Sequence, residues 1–265
     1  MKERIYTIPI NEAFDQDVEC PLCICEDKLE NDALEYAVGA AMMEPDFRIE
    51  TNKNGFCKNH FIRLYTLKQE KLPLALVIDT HLNEQIKEIE TIFNRHRSDL
   101  KKLSSKGALE ALPDRLRGKN NAAAKAAKKL LEKLKTLKDS CSVCKKMGNN
   151  MERLIENTLY LYDKEPEFKR KFLQTKGFCL KHIEDLIEKS AKELSPERQA
   201  QLLTDLFDLE IVELKRINEE VHHFTLMFDY RNAQSDWKNS KDAVPRSIEK
   251  ICGSSNLKNK NANNA

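Results

Sequence analysis

The sequence contains few of the residues that punctuate compact β-structure. Its 265 residues include seven glycines and eight prolines, and aromatic residues make up 7% of the chain. A β-sandwich or β-barrel needs more turn formers and more aromatic or β-branched strand positions. Charged residues make up 33%, which suits the solvent faces of long amphipathic helices. We therefore predict a mainly α-helical fold, with at most one short strand pair formed by "RIYTIPINEAF" and "TLMFDYRN".

Long apolar runs are also missing. No stretch approaches the roughly 18 consecutive apolar residues of a membrane-spanning helix, and the opening "MKERIYTIPINEAF" has no apolar segment followed by small residues, as a secretory signal would. We expect a cytoplasmic protein without a membrane partner. In a reducing compartment, eight cysteines are more typical of metal ligands or redox thiols than of a disulfide framework.

Familiar catalytic patterns are scarce. The sequence has no Gly-rich phosphate-binding loop and no His-Glu-x-x-His motif. Acidic pairs on such charged helices are most simply solvated faces. We find no catalytic constellation and lean against an enzyme.

Three motifs of the first half of the chain recur in the second half. "CPLC" at 20–23, "EPDF" at 44–47 and "GFCKNH" at 55–60 are answered by "CSVC" at 141–144, "EPEF" at 165–168 and "GFCLKH" at 177–182. The displacement is 121 residues for the first two motifs and 122 for the third. A unit of about 100 residues is longer than a solenoid repeat. We interpret the pattern as an internal duplication that gives two related halves.

The duplication suggests a division into domains. We predict an N-terminal helical metal-binding repeat over 1–103 and a C-terminal repeat with an ordered tail over 122–252. Residues 104–121 carry the Gly, Pro, Ser and Asn residues of a linker. Residues 253–265 have the polar composition of a disordered tail.

Each half carries three cysteines and one histidine, arranged as Cys-x-x-Cys and Cys-x-x-His. Three thiolates and one imidazole are the ligands of a closed tetrahedral zinc site. The 33 or 34 residues between the two patterns could hold a helix leading out and an extended return. We therefore predict one zinc site per half, with Cys20, Cys23, Cys57 and His60 in the first and Cys141, Cys144, Cys179 and His182 in the second.

Other chemistries also use cysteines at this spacing. Buried cysteines can be small apolar core residues, but they would not need histidine at a fixed distance in two copies. A redox dithiol is suggested by Pro21, although the equivalent residue of the second half is Ser142. An iron–sulfur cluster stays open, because a histidine can replace one thiolate. The main interpretation is a zinc-binding protein with a structural or regulatory adaptor role; the alternative is an iron–sulfur or thiol-based redox protein.

Two phenylalanines directly precede the second pair of ligands in each half. We expect Phe56 and Phe178 to cover the metal and exclude water from it. The glycine before each phenylalanine should end the return segment and allow the helix carrying Cys-x-x-His to begin.

Charge is distributed unevenly along the chain. Residues 101–138 contain twelve basic and three acidic residues, whereas residues 1–50 contain thirteen acidic and four basic residues. A basic segment raises nucleic acid as a partner. Because this segment lacks interleaved aromatic residues, a solvated Lys/Ala helix is the simpler interpretation. A protein partner is the other candidate.

With these motifs identified, the chain resembles an uncharacterised prokaryotic family of domain-of-unknown-function proteins. The resemblance rests on the opening "IYTIPINEAF…CPLC", the paired "GFC-x-x-H" segments and the tail "FDYRN…W…DAVPRSIEK". It covers nearly the whole chain, and the tail is its most specific element. It implies no activity.

Overall fold

The computed structural model describes residues 4–67, 71–105, 122–232 and 234–254. Within these ranges the chain forms helices and three short 3₁₀ turns, and no strand is present. The predicted mainly α-helical fold is confirmed. The helices are α1 (Arg4–Phe14), α2 (Pro21–Ala37), α3 (Pro45–Asn54), α4 (Lys58–Leu67), α5 (Leu72–Ser104), α6 (Ala122–Asp139), α7 (Ser142–Lys164), α8 (Pro166–Gln174), α9 (Leu180–Glu193), α10 (Pro196–Leu226) and α11 (Ala243–Cys252).

The predicted strand pair is wrong. Its first member is α1, and its second is divided between the end of α10 and the 3₁₀ turn Tyr230–Asn232. In α1 the buried residues Ile10, Ala13 and Phe14 follow the i, i+3, i+4 spacing of a helix face. The prediction rested on an apparent alternation of apolar and polar residues. Ile8 does not belong to the buried face, because 58% of its surface is exposed.

The chain divides into two compact units. Unit 1 combines Met1–Leu29 with Asn149–Ala265, and unit 2 is Glu30–Gly148. The boundaries between the units therefore fall inside α2 and α7, and not at the predicted linker. Most of that linker, and all but the first two residues of the predicted disordered tail, lie outside the described residues.

An aromatic cluster forms the core of unit 1. The Phe14 ring lies 4.8 Å from that of Phe168 and 5.9 Å from that of Phe178, and Phe172 lies 4.9 Å from Phe178 between ring centroids. All four rings are buried, and such tilted ring pairs add to the free energy gained by burial. This packing fixes the backbone beside Cys179, while α11 packs across α9 and α10.

Unit 2 has a separate apolar core. Phe56 packs edge-on against Phe61, with ring centroids 5.4 Å apart, and Leu34, Leu64 and Val77 are buried around them. The long helix α5 packs along α6 and α3. This core holds the segment that contains Cys57.

The turns of the two halves use the same residues. Pro45 and Pro166 begin α3 and α8, where the missing amide hydrogen has no cost. Gly55 and Gly177, which precede the two phenylalanines, have φ angles of 58° and 78°. Glycine adopts this left-handed backbone without a steric penalty, so the expected glycine turns before the Cys-x-x-His segments are confirmed.

Among the described residues, no helix combines the length and the apolar character needed to cross a bilayer.

Gly177 provides a test of the turn before Cys179. A Cβ atom there would lie less than 3 Å from the Glu210 carboxylate, at a φ of 78°. We expect Gly177→Ala to lower the free energy of unfolding by about 1–3 kcal/mol. Gly148→Ala is the matched control, because no atom lies within 4 Å of its added Cβ inside α7; it should raise stability by about 0.5–1 kcal/mol. Urea denaturation measures the unfolding free energy of both variants, and equal changes in the two would contradict a requirement for glycine at position 177.

Candidate metal centres

The eight predicted ligands lie in two groups of four, each confined to one compact unit. In each group the ligand atoms all lie within 4.8 Å of one another. We call the group in unit 1 cluster 1, formed by Cys20, Cys23, Cys179 and His182. The group in unit 2 is cluster 2, formed by Cys57, His60, Cys141 and Cys144.

The predicted pairing of the motifs is wrong. Each Cys-x-x-Cys pair meets the Cys-x-x-His pair of the other half, and not that of its own half. The prediction assumed an extended return after the first helix. In the structure, α2 runs about 25 Å away from the first pair, whereas the return is the ten-residue helix α3 and advances only about 15 Å. The extended return that the prediction assumed is therefore wrong.

In cluster 1 the imidazole of His182 faces three sulfurs through Nδ1. That nitrogen lies 3.3 Å from Cys20 Sγ, 3.5 Å from Cys23 Sγ and 3.2 Å from Cys179 Sγ. The sulfurs of Cys23 and Cys179 are 3.6 Å apart. All four side chains are buried.

Cluster 2 repeats this arrangement. His60 Nδ1 lies 3.2 Å from both Cys57 Sγ and Cys141 Sγ, and 3.3 Å from Cys144 Sγ. The sulfurs of Cys57 and Cys144 are 3.8 Å apart. Its exposure differs from that of cluster 1, because Cys144 is exposed and Cys57 is only partly buried.

These distances fit a single tetrahedral ion. With Zn–S bonds of about 2.3 Å and Zn–N bonds of about 2.0–2.1 Å, tetrahedral angles place two sulfurs about 3.8 Å apart and a sulfur and a nitrogen about 3.5 Å apart. The separations in both clusters lie at or slightly below these values. Three soft thiolates and one imidazole also match the donor preference of zinc. The residues present are therefore suited to a metal ion.

A carboxylate lies behind each histidine, and both carboxylates come from α2. Glu30 Oε1 is 3.0 Å from His60 Nε2, and Glu26 Oε2 is 3.4 Å from His182 Nε2. An acceptor at Nε2 holds the proton of that nitrogen, so Nδ1 is the nitrogen that would give up its proton and bind a metal, the usual arrangement around metal-binding histidines. Sequence reasoning missed both residues, although with Cys23 they form an i, i+3, i+7 row on α2.

Each of these carboxylates also meets a cation. Glu30 pairs with Arg63, and Glu26 pairs with Lys181. Hydrogen bonding to His60 and Arg63 outweighs burial and lowers the pKa of Glu30. Burial raises the pKa of Glu26, but the neighbouring His182 imidazole and the hydrogen bond from Lys181 reverse this, and the net pKa is lowered. Both groups therefore accept hydrogen bonds as carboxylates at neutral pH.

The pKa of the imidazole is raised in both clusters, and the pKa of Cys141 in cluster 2 is lowered. Burial lowers the pKa of His60, but hydrogen bonds to Cys141 and Glu30 raise it to about 10. Burial also lowers the pKa of His182, but hydrogen bonding, chiefly with Cys179, raises it to about 11. Burial raises the pKa of Cys141, but the hydrogen bond from His60 outweighs it and the pKa falls to about 6. A metal ion that binds must displace the imidazole protons.

The turn that carries Cys179 is held by a buried ion pair. Glu210 of α10 accepts a hydrogen bond from the amide of Phe178, and its carboxylate lies 2.9 Å from Lys250 Nζ of α11. Both charged side chains are at most 2% exposed. Lys250 also donates to the carbonyl of Lys176 at 2.6 Å. Burial raises the pKa of Glu210, while Lys250 opposes that shift.

The equivalent turn of unit 2 is held by an imidazole and a side-chain amide. His81 Nδ1 and Gln85 Nε2 of α5 lie 2.7 Å and 2.8 Å from the carbonyl oxygen of Asn52, just before Gly55. His81, which has no cysteine neighbour in the sequence, therefore packs against the turn that leads to Cys57.

The remaining predicted site residues are Phe56 and Phe178. Phe178 is fully buried beside Cys179, and Phe56 is 6% exposed beside Cys57. The two cysteines without a partner in the repeat, Cys25 and Cys252, lie outside both clusters. Cys25 is buried near the carbonyl of Pro9, and Cys252 is exposed.

The buried ion pair gives a second prediction. Lys250→Met leaves the Glu210 charge buried without its partner, and we expect a loss of about 3–5 kcal/mol in unfolding free energy. Adding Glu210→Gln should recover part of that loss. The control is Lys192→Met, which removes an exposed pair with Glu188 and should cost at most about 1 kcal/mol. Chemical denaturation of the wild type, the single variants Lys250→Met and Glu210→Gln, their double variant and Lys192→Met measures the coupling, and additive losses in the double variant would refute it.

Comparison with known proteins identifies a family but no activity. A family model described as a family of unknown function, DUF6062, matches residues 1–258. No curated protein and no solved structure matches the chain. The matched range contains all eight cluster residues and the distinctive tail. The chain therefore belongs to the DUF6062 family of unknown function.

Proposed function

We propose that each cluster binds one zinc ion and that the protein is a zinc-braced helical adaptor. The observation that carries the proposal is the convergence of three sulfurs and one imidazole nitrogen within 4.8 Å, twice in one chain. Four protein ligands complete a tetrahedral shell and leave no position for a catalytic water. This donor set supports a structural role for the metal.

The ligand spacing favours a single ion over an iron–sulfur cluster. In a two-iron cluster the four protein ligands divide between two irons, and in a four-iron cluster each binds its own iron, so some donor atoms lie farther apart than donors that share one ion. Here all four donor atoms of each cluster lie within 4.8 Å of one another, which suits one shared centre. Among tetrahedral sites with mixed sulfur and nitrogen ligands, zinc is the most typical occupant.

Each proposed zinc joins segments that are distant in the chain. Cys23 and Cys179 are 156 residues apart, and Cys57 and Cys144 are 87 apart. Such an ion acts as a cross-link, and its binding free energy contributes to folding. We further propose that the two clusters derive from a duplicated unit whose motif pairs were exchanged, because equivalent positions of the two halves build both clusters. The free state of all eight cysteines supports a reducing, cytoplasmic location.

Metal analysis of the purified protein tests the proposal. We expect about two zinc ions per chain and no visible absorbance, since zinc has a closed d shell. Iron with sulfide and a brown colour would instead support the iron–sulfur alternative. Protein that contains no metal and folds identically with and without zinc would contradict the proposal.

Paired substitutions test which ligands share an ion. Cys23→Ser with Cys179→Ser removes two ligands of cluster 1 and should leave about one zinc per chain under a competing chelator. Cys23→Ser with Cys57→Ser removes one ligand from each cluster and should leave neither zinc firmly bound. Ligand sharing within each half of the chain would give the opposite result. Atomic absorption after chelator treatment distinguishes the two patterns.

The raised histidine pKa values predict a pH dependence of zinc binding. His60 and His182 have pKa values of about 10 and 11, so at neutral pH each imidazole holds a proton that zinc must displace. Lowering the pH favours the protonated state, and each displaced proton weakens zinc binding by about tenfold per pH unit. Proton release into weak buffer during zinc addition measures this, and zinc affinity independent of pH between 6 and 8 would be inconsistent with it.

A further inference from the structure

The two clusters share a ligand set but differ in access to solvent. Cluster 1 has four buried ligands, whereas in cluster 2 Cys144 is exposed and Cys57 is partly buried. Solvent access and thiolate character together determine how readily a cysteine is oxidised. Two identical donor sets are therefore presented to soluble reagents very differently.

The end of α11 covers cluster 1. Gly253 follows α11 with a φ of 86°, and a Cβ atom at this position would lie 3.6 Å from Cys179 Sγ and 3.7 Å from Cys23 Sγ. The amide of Ser254 donates to Cys23 Sγ at 3.2 Å, and its hydroxyl donates to Asp27 at 2.5 Å. A backbone amide that donates to a thiolate withdraws charge from the sulfur and lowers its nucleophilicity. The sulfurs of cluster 1 are thus both covered and deactivated.

Within the part of the chain that the structure describes, Cys144 has no comparable cover. Among the described residues, the hydrogen-bonding neighbours of its sulfur are other ligands, namely His60 Nδ1 at 3.3 Å and Cys57 Sγ at 3.8 Å. The backbone amide of Cys144 donates to Cys141 Sγ at 3.4 Å. The hydrogen bond from this turn is therefore made to the buried sulfur of Cys141 and not to the exposed sulfur of Cys144. The exposed sulfur therefore lies beside the other accessible ligand, Cys57.

We propose that cluster 2 is a peroxide-sensitive site in which Cys57 and Cys144 form a disulfide and release zinc, while cluster 1 keeps its metal. This inference rests on the proposed zinc binding. It assigns a modification site to one cluster and a permanent structural role to the other.

The reaction consumes one hydroperoxide and two thiolates. With zinc bound, Cys144 would be a thiolate. Its sulfur attacks the peroxide and breaks the O–O bond, forming a sulfenic acid, while the departing hydroxide takes a proton to become water. The thiolate of Cys57 then attacks the sulfenic sulfur, forming the S–S bond and expelling a second hydroxide, which is also protonated. The two sulfurs lose two electrons in total and the peroxide gains them. Two ligands are lost, so zinc leaves cluster 2.

The test begins with full-length protein shown to contain two zinc ions. Hydrogen peroxide is added stepwise, zinc release is followed with a chromogenic chelator, and disulfides are mapped by non-reducing peptide mass spectrometry. We expect about one zinc to be released at least about tenfold faster than the second, because the accessible thiolates react first. The disulfide should join Cys57 to Cys144, and a thiol reductant with zinc should restore the original content.

Variants at Ser254 test the cover over cluster 1. Ser254→Pro removes the amide that donates to Cys23 Sγ, whereas Ser254→Ala keeps this amide and loses only the hydroxyl. We expect the proline variant to release its second zinc several times faster under peroxide, and the alanine variant to behave like the wild type. Cys252→Ser removes an exposed thiol outside the clusters and should leave both release rates unchanged.

Each outcome has a distinct meaning. Protein with no zinc before oxidation would overturn the proposed function, and this inference with it. Two zinc ions released at the same rate, or none released before unfolding, would overturn the inference alone and leave zinc binding intact. A disulfide between Cys141 and Cys144 in place of the expected one would overturn the assigned pair.

Discussion

The fold depends on a single constraint: each Cys-x-x-Cys pair must meet the Cys-x-x-His pair of the other half of the chain. This arrangement closes two long loops, of 156 residues from Cys23 to Cys179 and of 87 residues from Cys57 to Cys144. The entropy lost on closing a loop grows only logarithmically with its length. Structural zinc sites supply about 10–16 kcal/mol, which is comparable with the entire stability of a domain, about 5–15 kcal/mol. Two ions of the proposed kind would therefore be sufficient to decide whether the chain folds.

One helix organises both clusters. Helix α2 begins at the first Cys-x-x-Cys pair, supplies Glu26 to the histidine of cluster 1, and one turn later supplies Glu30 to the histidine of cluster 2. Each carboxylate is neutralised by a neighbouring cation, Lys181 or Arg63. A carboxylate fixed in this way orients the imidazole and increases its basicity as a ligand. The same helix thus contributes ligands to one cluster and orienting groups to both.

The sequence was sufficient to identify the eight cluster residues but not to pair them. Cysteine and histidine at repeated spacing identified all eight residues, and Gly55 and Gly177 marked the turns before the second motifs. The predicted pairing of the motifs assumed that residues 45–54 are extended. A helical residue advances less than half as far along the chain as an extended one. That segment has too weak an apolar pattern to decide. Glu26 and Glu30 were missed because acidic residues on a charged helix are usually solvated, and only the position of the histidines distinguishes these two.

The structure also explains the most distinctive segment of the sequence, "DAVPRSIEK". Ala243, Arg246, Lys250 and Gly253 are spaced i, i+3, i+7 and i+10, which places them on one side of α11 and its end. Arg246 pairs with Glu19, the buried neighbour of Cys20, at 3.2 Å, Lys250 reaches the turn before Cys179, and Gly253 lies against the sulfurs of Cys23 and Cys179. Each ligand segment of cluster 1 is therefore held by the same helix face. Cluster 2 lies in the other compact unit, so the segment gives cluster 1 a protection that identical ligands alone would not provide.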